Sequence, residues 1–259
     1  MEKIKNLFLP FGKVSRGTLI IANITWVVIL LALFQILHSP IVPAPSKIIS
    51  SFYGLMQSAN FWDNFLSSLF VTIQAMGYSI IITMILVYLS TIPLFKLFAQ
   101  FASKCRYLTL TGLVVLFTFF TSDLGQLKIS LLLFGIVPYF VTSFLSVIDS
   151  IPQQQIDKAI VNRKTPWGIL YEIVIVGRLD QLFEVMRQNF AISWMMITMV
   201  EAYDMSGGGI GTMLIKSNRH LDLAPIFAML LAVLLIGMLF DWGLRKIRYS
   251  LFDYLEPQK

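Results

Sequence analysis

Residues 157–176, DKAIVNRKTPWGILYEIVIV, lie in a polar stretch, residues 148–187, that separates apolar segments long enough to cross a membrane. Ile156, Ala159 and Ile160 follow the i, i+3, i+4 spacing of a helix and predict one apolar face. Charged and amide side chains occupy the opposite face. The spacing therefore predicts a short amphipathic helix that packs on the rest of the protein and leaves its other face free to meet a partner.

Thr165 and Pro166 predict the start of a second helix, because a threonine hydroxyl caps a helix and proline is favoured at the first helical position. The stretch therefore reads as helix, turn, helix, with the turn near Arg163–Thr165. A solvated connector without a partner is the alternative that this pattern leaves open.

The composition is too apolar for one soluble domain of this size and predicts a membrane protein. Apolar residues make up 57% of the 259 residues and charged residues 13%, against about 25% charged residues in soluble domains. We expect an all-α polytopic membrane protein, residues 1–259 forming one transmembrane domain. The six expected spans lie near residues 18–37, 69–92, 107–122, 129–147, 188–203 and 223–243.

The distribution of lysine and arginine predicts the topology. Alternate loops carry 16 and 4 of the 20 basic residues. The positive-inside rule then places both termini and residues 148–187 in the cytoplasm. These residues also suit contact with anionic membrane lipid, so the net charge of +6 does not call for a nucleic-acid partner.

The sequence lacks the patterns of common catalytic sites. It contains no G-x-x-x-x-G-K-[ST] phosphate loop, no H-E-x-x-H and no G-x-S-x-G. Cys105 is the single cysteine, without a His or Cys cluster near it in sequence. We therefore expect no catalytic residue, no metal site and no cofactor on this chain.

The order of several short motifs resembles a known family. Asp157-Lys158-Ala159 stands where that family has Glu-Ala-Ala, Arg163 stands at its glycine, and Ile173 matches the isoleucine of its Ile-x-Leu-Pro. The segment from Trp194 to Glu201, followed by Gly209-Ile210-Gly211, resembles its Trp…Glu…Gly-Leu-Gly run. The chain thus resembles a type I permease subunit of an ATP-binding-cassette importer, of the nitrate/sulfonate/taurine/bicarbonate type.

The resemblance implies a transport subunit of the bacterial inner membrane. Its partners would be ATPase subunits that hold ATP and Mg²⁺, a second permease copy or paralogue, and an external binding protein. The solute would be a small anion or sulfonate, or a vitamin or pyrimidine precursor. The residues implied in coupling to the ATPase are Asp157, Lys158, Ala159, Arg163, Lys164 and Trp167.

Two positions depart from the family pattern. Arg163 in place of glycine predicts either a turn without a positive φ or a bulky cation that meets the partner. Val176 in place of proline predicts a different re-entry of the second helix into the membrane.

Glu201 is the foremost intramembrane candidate, because an ionisable group within a span usually faces protein or a water-filled path. Trp194 and Glu201 share one helical face, with Thr198 at its edge, and Gln74 is a further polar residue in a span. We expect these four residues to line the translocation pathway. The alternatives are that Glu201 is solvated at the outer interface or caps a turn at residues 204–206.

Two other function classes stay open at this point. A secondary carrier without a motor predicts several charges inside the spans, and the sequence contains few. A membrane scaffold without transport activity would use the polar stretch only to hold another protein.

Overall fold

The computed structural model describes residues 15–36, 43–121, 123–203 and 207–252, and the chain divides into two units, residues 1–49 and 50–259. The described residues are 89% helical and contain no strand. This confirms the all-α fold. In chain order the α-helices are α1 Arg16–Ile36, α2 Pro45–Gln57, α3 Ala59–Leu89, α4 Lys96–Lys104, α5 Leu110–Phe120, α6 Leu124–Asp149, α7 Gln153–Val161, α8 Pro166–Ile169, α9 Leu179–Tyr203, α10 Ile210–Arg219 and α11 Leu223–Leu251.

Short segments of 3₁₀-helix, which is tighter than an α-helix, and of π-helix, which is wider, connect some of these helices. Turns of 3₁₀-helix flank α4 at Pro93–Phe95 and Cys105–Tyr107. A π-helical segment, Leu170–Ile175, and a 3₁₀ turn, Val176–Arg178, join α8 to α9. The valine at position 176 thus lies inside a continuous helical connection, where the family's proline would remove a backbone donor.

The core of residues 50–259 lies where α6 packs against α3 and α9. Bulky side chains that are completely buried, such as Phe140, Phe144 and Ile197, fill this core. The buried face of α3 carries small residues at helical spacing. These are Ser68, Thr72, Ala75, Ser79 and Thr83. Small side chains let apolar helices approach closely where lipid supplies no hydrophobic driving force between them.

Three of the described helices are long and apolar enough to cross a membrane: Ala59–Leu89, Gly125–Asp149 and Leu223–Leu251. They match the expected spans at residues 69–92, 129–147 and 223–243. Leu110–Phe120 is a shorter apolar helix within the expected span 107–122. The expected span 188–203 is the second part of the longer helix α9. The total of six spans and the cytoplasmic termini stay predictions.

Several helix boundaries differ from the sequence-based expectation. The polar run Asp123-Leu124-Gly125-Gln126 predicts a tight turn, but this prediction is wrong, because α6 begins at Leu124. The helix also continues through Pro138. The glycine-containing connection 204–222 is a helix, α10, over more than half of its length. Residues 37, 122, 204–206 and both chain termini, where further predictions fall, lie outside the described residues.

Candidate functional site

The polar stretch folds as the sequence predicts, into helix α7, a turn, and helix α8. The Thr165 hydroxyl accepts a hydrogen bond from Gly168 N at 3.2 Å, and Pro166 occupies the first turn of α8. Both helix-start signals are therefore confirmed. A charge pair between Lys164 and Glu172 links the turn to the helical segment that follows.

The turn after α7 is a Schellman motif, which satisfies the last carbonyls of a helix. Arg163 N donates to Ile160 O at 2.9 Å, and Lys164 N donates to Ala159 O at 3.1 Å. Arg163 occupies the left-handed position of this motif with φ 55°. The expectation that the turn avoids a positive φ is therefore wrong: the geometry of a glycine is kept, although the side chain is arginine.

A non-glycine residue in this conformation is disfavoured by about 1–2 kcal/mol, because its Cβ approaches the following carbonyl oxygen. Leu221 is the other described non-glycine residue with a positive φ, also 55°, in an equivalent motif after α10. The backbone is thus strained at Arg163, one of the residues predicted to couple to the ATPase. Strained backbone positions are often found at functional sites.

Five of the six predicted coupling residues are exposed: Asp157, Lys158, Arg163, Lys164 and Trp167. Ala159 is buried and holds α7 against the rest of the protein. The prediction that Ile160 joins the buried face is wrong, because this residue is exposed along with Val161. The helix therefore buries a narrower stripe than its apolar spacing suggests, since α7 rests on the surface of the bundle rather than inside it.

These exposed residues form one surface, which we call the coupling surface: Asp157, Lys158, Ile160, Val161, Arg163, Lys164 and Trp167. Val161 is 80% exposed and Trp167 is 69% exposed. A shallow depression on α7 is lined by Asp157, Lys158 and Val161, among others. Large apolar side chains next to cations, which the described part of the chain leaves uncovered, are typical of a protein interaction surface.

Glu201 lies in a second polar site, between α9, α3 and the start of α10. Its side chain is 1% exposed, so the alternative of a solvated glutamate at the outer interface is wrong. Ser68 Oγ lies 2.7 Å and 2.9 Å from the two carboxylate oxygens and donates its proton to this carboxylate. Gly211 N donates to Glu201 Oε2 at 3.0 Å.

Two further side chains complete this arrangement. Gly209 N donates to Asn64 Oδ1 at 2.6 Å, and Ile210 N donates to Ser68 Oγ at 2.9 Å. Asn64, Ser68 and Glu201, which we call the capping cluster, thus accept the first three backbone N–H groups at the start of α10. These N–H groups have no partner within a helix, and a carboxylate there also meets the positive end of the helix dipole.

Two glycines make this close approach possible. A Cβ at Gly211 would lie 2.1 Å from Thr198 O, and a Cβ at Gly209 would lie 2.2 Å from Glu201 Cδ. Gly209 also has φ 109°, a conformation that side chains disfavour. The glycines of the Gly-Ile-Gly run therefore let α10 pack directly on α9. A glycine-rich run such as residues 206–211 predicts a flexible or a tightly turned loop, and the flexible alternative is wrong for residues 207–211.

The sequence did not single out Asn64, Ser68 or Lys128 as site residues. Asn64 and Ser68 are four residues apart on one face of α3, the spacing at which two side chains reach one target. Lys128, one of the four basic residues that the charge count assigns to the outer loops, is buried in α6, and its ammonium donates to Gly208 O at 3.3 Å. A buried cation among apolar residues of a span signals a polar partner, but only the fold identifies the partner.

The four predicted pathway residues do not form one site. Trp194 and Thr198 line a groove of about 470 Å³ between α9 and α11, and Trp194 Nε1 donates to Val233 O at 3.2 Å. Glu201 belongs to the capping cluster. Gln74 is half-buried on α3 and lines neither the groove nor the capping cluster.

The comparison with protein families identifies the chain. The model of the binding-protein-dependent transport system inner membrane component matches residues 46–248. Because the match covers well over half of the chain, the protein belongs to this family of permease components of ATP-binding-cassette transporters, which are non-catalytic transport subunits with the type I permease fold. A comparison with curated proteins gives no match.

Proposed function

We propose that this permease is the membrane subunit of an ATP-driven importer and that its coupling surface binds the ATPase subunit. The observation that carries the proposal is an exposed helix-turn-helix whose outward face combines Val161 and Trp167 with Lys158 and Arg163. ATP and Mg²⁺ would be held on the ATPase. Its closure would push on α7, which Ala159 fixes to the bundle.

The remaining parts of the importer follow from the family and the sequence resemblance. A second copy of this permease, or a paralogue, would complete the pathway. A binding protein outside the membrane would deliver the solute, a small anion or sulfonate or a vitamin or pyrimidine precursor. We retain Gln74, Trp194, Thr198 and Glu201 as pathway residues in this proposal. Glu201 would act there mainly by fixing the start of α10.

Purification of the complex from native membranes in mild detergent tests the proposal. Val161→Asp places a carboxylate on the coupling surface, and Leu221→Asp places one at an equally exposed position elsewhere, since Leu221 is 82% exposed. We expect the ATPase to co-purify with the wild type and with Leu221→Asp, and to be lost from Val161→Asp. Desolvating an unpaired carboxylate in an interface is strongly unfavourable.

The contrary outcomes are distinct. Retention of the ATPase by Val161→Asp and by the charge reversal Arg163→Glu would mean that the coupling surface lies elsewhere on the permease. Recovery of the wild-type chain alone, under conditions that keep a control importer intact, would instead favour the secondary carrier or the scaffold.

A further inference from the structure

A cavity of about 910 Å³ lies beside the coupling helices, where α3 and α6 end. One wall is the turn from α3 into α4, from Ser90 to Gln100. The second wall is the end of α6. The third wall comes from α7, α8 and the following helical segment, including Trp167 and Leu170. Most of its lining is apolar, and its size is within the range of small-molecule sites.

Two charged side chains line this cavity. Lys96 is the first residue of α4 and Asp149 is the last residue of α6, and both are exposed at the rim of the cavity. Neither has an ion-pair partner among the residues that the structure describes. Gln100 and Gln153 add two amides to the same lining. The cavity therefore offers one ammonium and one carboxylate above apolar walls.

Helix α4 connects the cavity to an apolar surface. Its inner face is fixed to α6 by the buried Ala99 and by a 2.7 Å hydrogen bond between the hydroxyls of Ser103 and Thr142. The face next to Lys96, together with the 3₁₀ turn that precedes α4, exposes large apolar side chains. These are Leu94, Leu97, Phe98 and Phe101. A short helix with such a face and basic residues beside it is typical of the membrane interface.

We propose that the cavity binds the headgroup and upper acyl chains of an ethanolamine phospholipid from the cytoplasmic leaflet. The lipid phosphate would pair with Lys96, and its ammonium would donate hydrogen bonds to Asp149. The acyl chains would lie along the apolar walls and the exposed face of α4. Charge complementarity selects this headgroup. A choline headgroup has no N–H to donate, and a purely anionic lipid leaves Asp149 facing negative charge.

The position of the site gives the lipid a role beside the coupling surface. The cavity walls come from both the α3–α4 turn and the coupling helices, so a bound lipid would hold these parts together. It would stiffen α7 and α8 against the bundle, the direction in which an ATPase would push.

Fluorescence quenching of Trp167 by brominated lipids tests the proposal, because this side chain lines the cavity. The purified full-length chain is placed in nanodiscs of brominated ethanolamine, choline or glycerol phospholipid. The difference in quenching between wild type and Trp167→Phe isolates this residue from the other tryptophans. We expect the ethanolamine lipid to quench Trp167 at a lower mole fraction than the other two.

Lys96→Gln removes the phosphate contact, and Lys104→Gln, on the same helix but outside the cavity, is the matched control. We expect about a tenfold weaker quenching constant for Lys96→Gln, the loss of one charge-assisted hydrogen bond, and no change for Lys104→Gln. Equal constants for Lys96→Gln and wild type, or for ethanolamine and choline lipid, would overturn the proposal.

Competition separates the lipid from its headgroup. Soluble phosphoethanolamine should not relieve the quenching, because the apolar walls then stay without a ligand; if it does, the lipid assignment fails. No ATPase or uptake enters this experiment, so its failure would leave the proposed function untouched.

Discussion

Replacing Gly211 with alanine adds one carbon atom at the tightest contact of α10. The new Cβ would lie 2.1 Å from Thr198 O and 2.9 Å from Glu201 Cβ. The first neighbour is a backbone oxygen within helix α9, so it cannot turn away as a side chain does. The start of α10 must therefore move outward by at least about 1.3 Å to restore an ordinary contact distance.

That movement disrupts the capping cluster. The hydrogen bonds from Gly211 N to Glu201 Oε2 and from Thr212 Oγ1 to Glu201 O, both 3.0 Å, would lengthen. Leaving a buried polar group without its partner costs about 1–3 kcal/mol, and overpacking costs a similar amount. The higher helix propensity of alanine returns less than about 1 kcal/mol. We expect a net destabilisation of about 2–4 kcal/mol.

Thermal unfolding of the detergent-solubilised chain measures this effect. Gly77→Ala is the control, because Gly77 also lies in a helix, α3, and its Cβ would meet no atom within 4 Å. We expect a clear drop in the unfolding midpoint of Gly211→Ala and a midpoint near wild type for Gly77→Ala. Equal midpoints for the two variants would refute the close packing of α10 on α9.

Three further predictions concern other parts of the chain. Arg163→Gly removes the strain of the left-handed conformation, but it also increases the conformational freedom of the unfolded chain. We expect the first effect to be larger, so the free energy of unfolding should rise by about 0.5–1 kcal/mol. A lower free energy of unfolding in the same thermal measurement would contradict the Schellman geometry. Hydrogen bonding from Arg187 lowers the pKa of Glu184 below its ordinary value of 4.5. The stability that the Glu184–Arg187 pair contributes is therefore present above pH 4.5 and is lost as the pH falls through the lowered pKa of Glu184 in the folded state. Acid titration should destabilise the wild type more than Glu184→Gln. Parallel curves of stability against pH for the two proteins would contradict this prediction. Glu201→Gln keeps the shape of the capping cluster but removes its charge, so we expect a lower unfolding midpoint than that of the wild type. Uptake of the solute by the same variant is a separate test. Normal uptake with normal assembly would exclude an essential role of the Glu201 charge in transport.

The sequence alone predicted the features that depend on local chemistry. Helix spans follow from apolar length, because a bilayer cannot satisfy bare backbone groups. The start of α8 follows from Thr165 and Pro166, whose effects act within one helical turn. The order of weak motifs was enough to indicate the permease family, which the match over residues 46–248 then showed.

Only the tertiary structure decided the features that depend on distant residues. The exposure of Ile160 depends on how α7 rests on the bundle, and its helical spacing predicted the opposite. The positive φ at Arg163 depends on the carbonyl groups that the turn must satisfy, and the residue type argued against it. The partners of Glu201 come from Ser68, 133 residues earlier in the chain, and from Gly211 after the next turn. A charged residue in a span predicts that some polar group must pair with it, because burying an unpaired charge is unfavourable. Which groups pair with it depends on the donors that the tertiary structure places within hydrogen-bond distance.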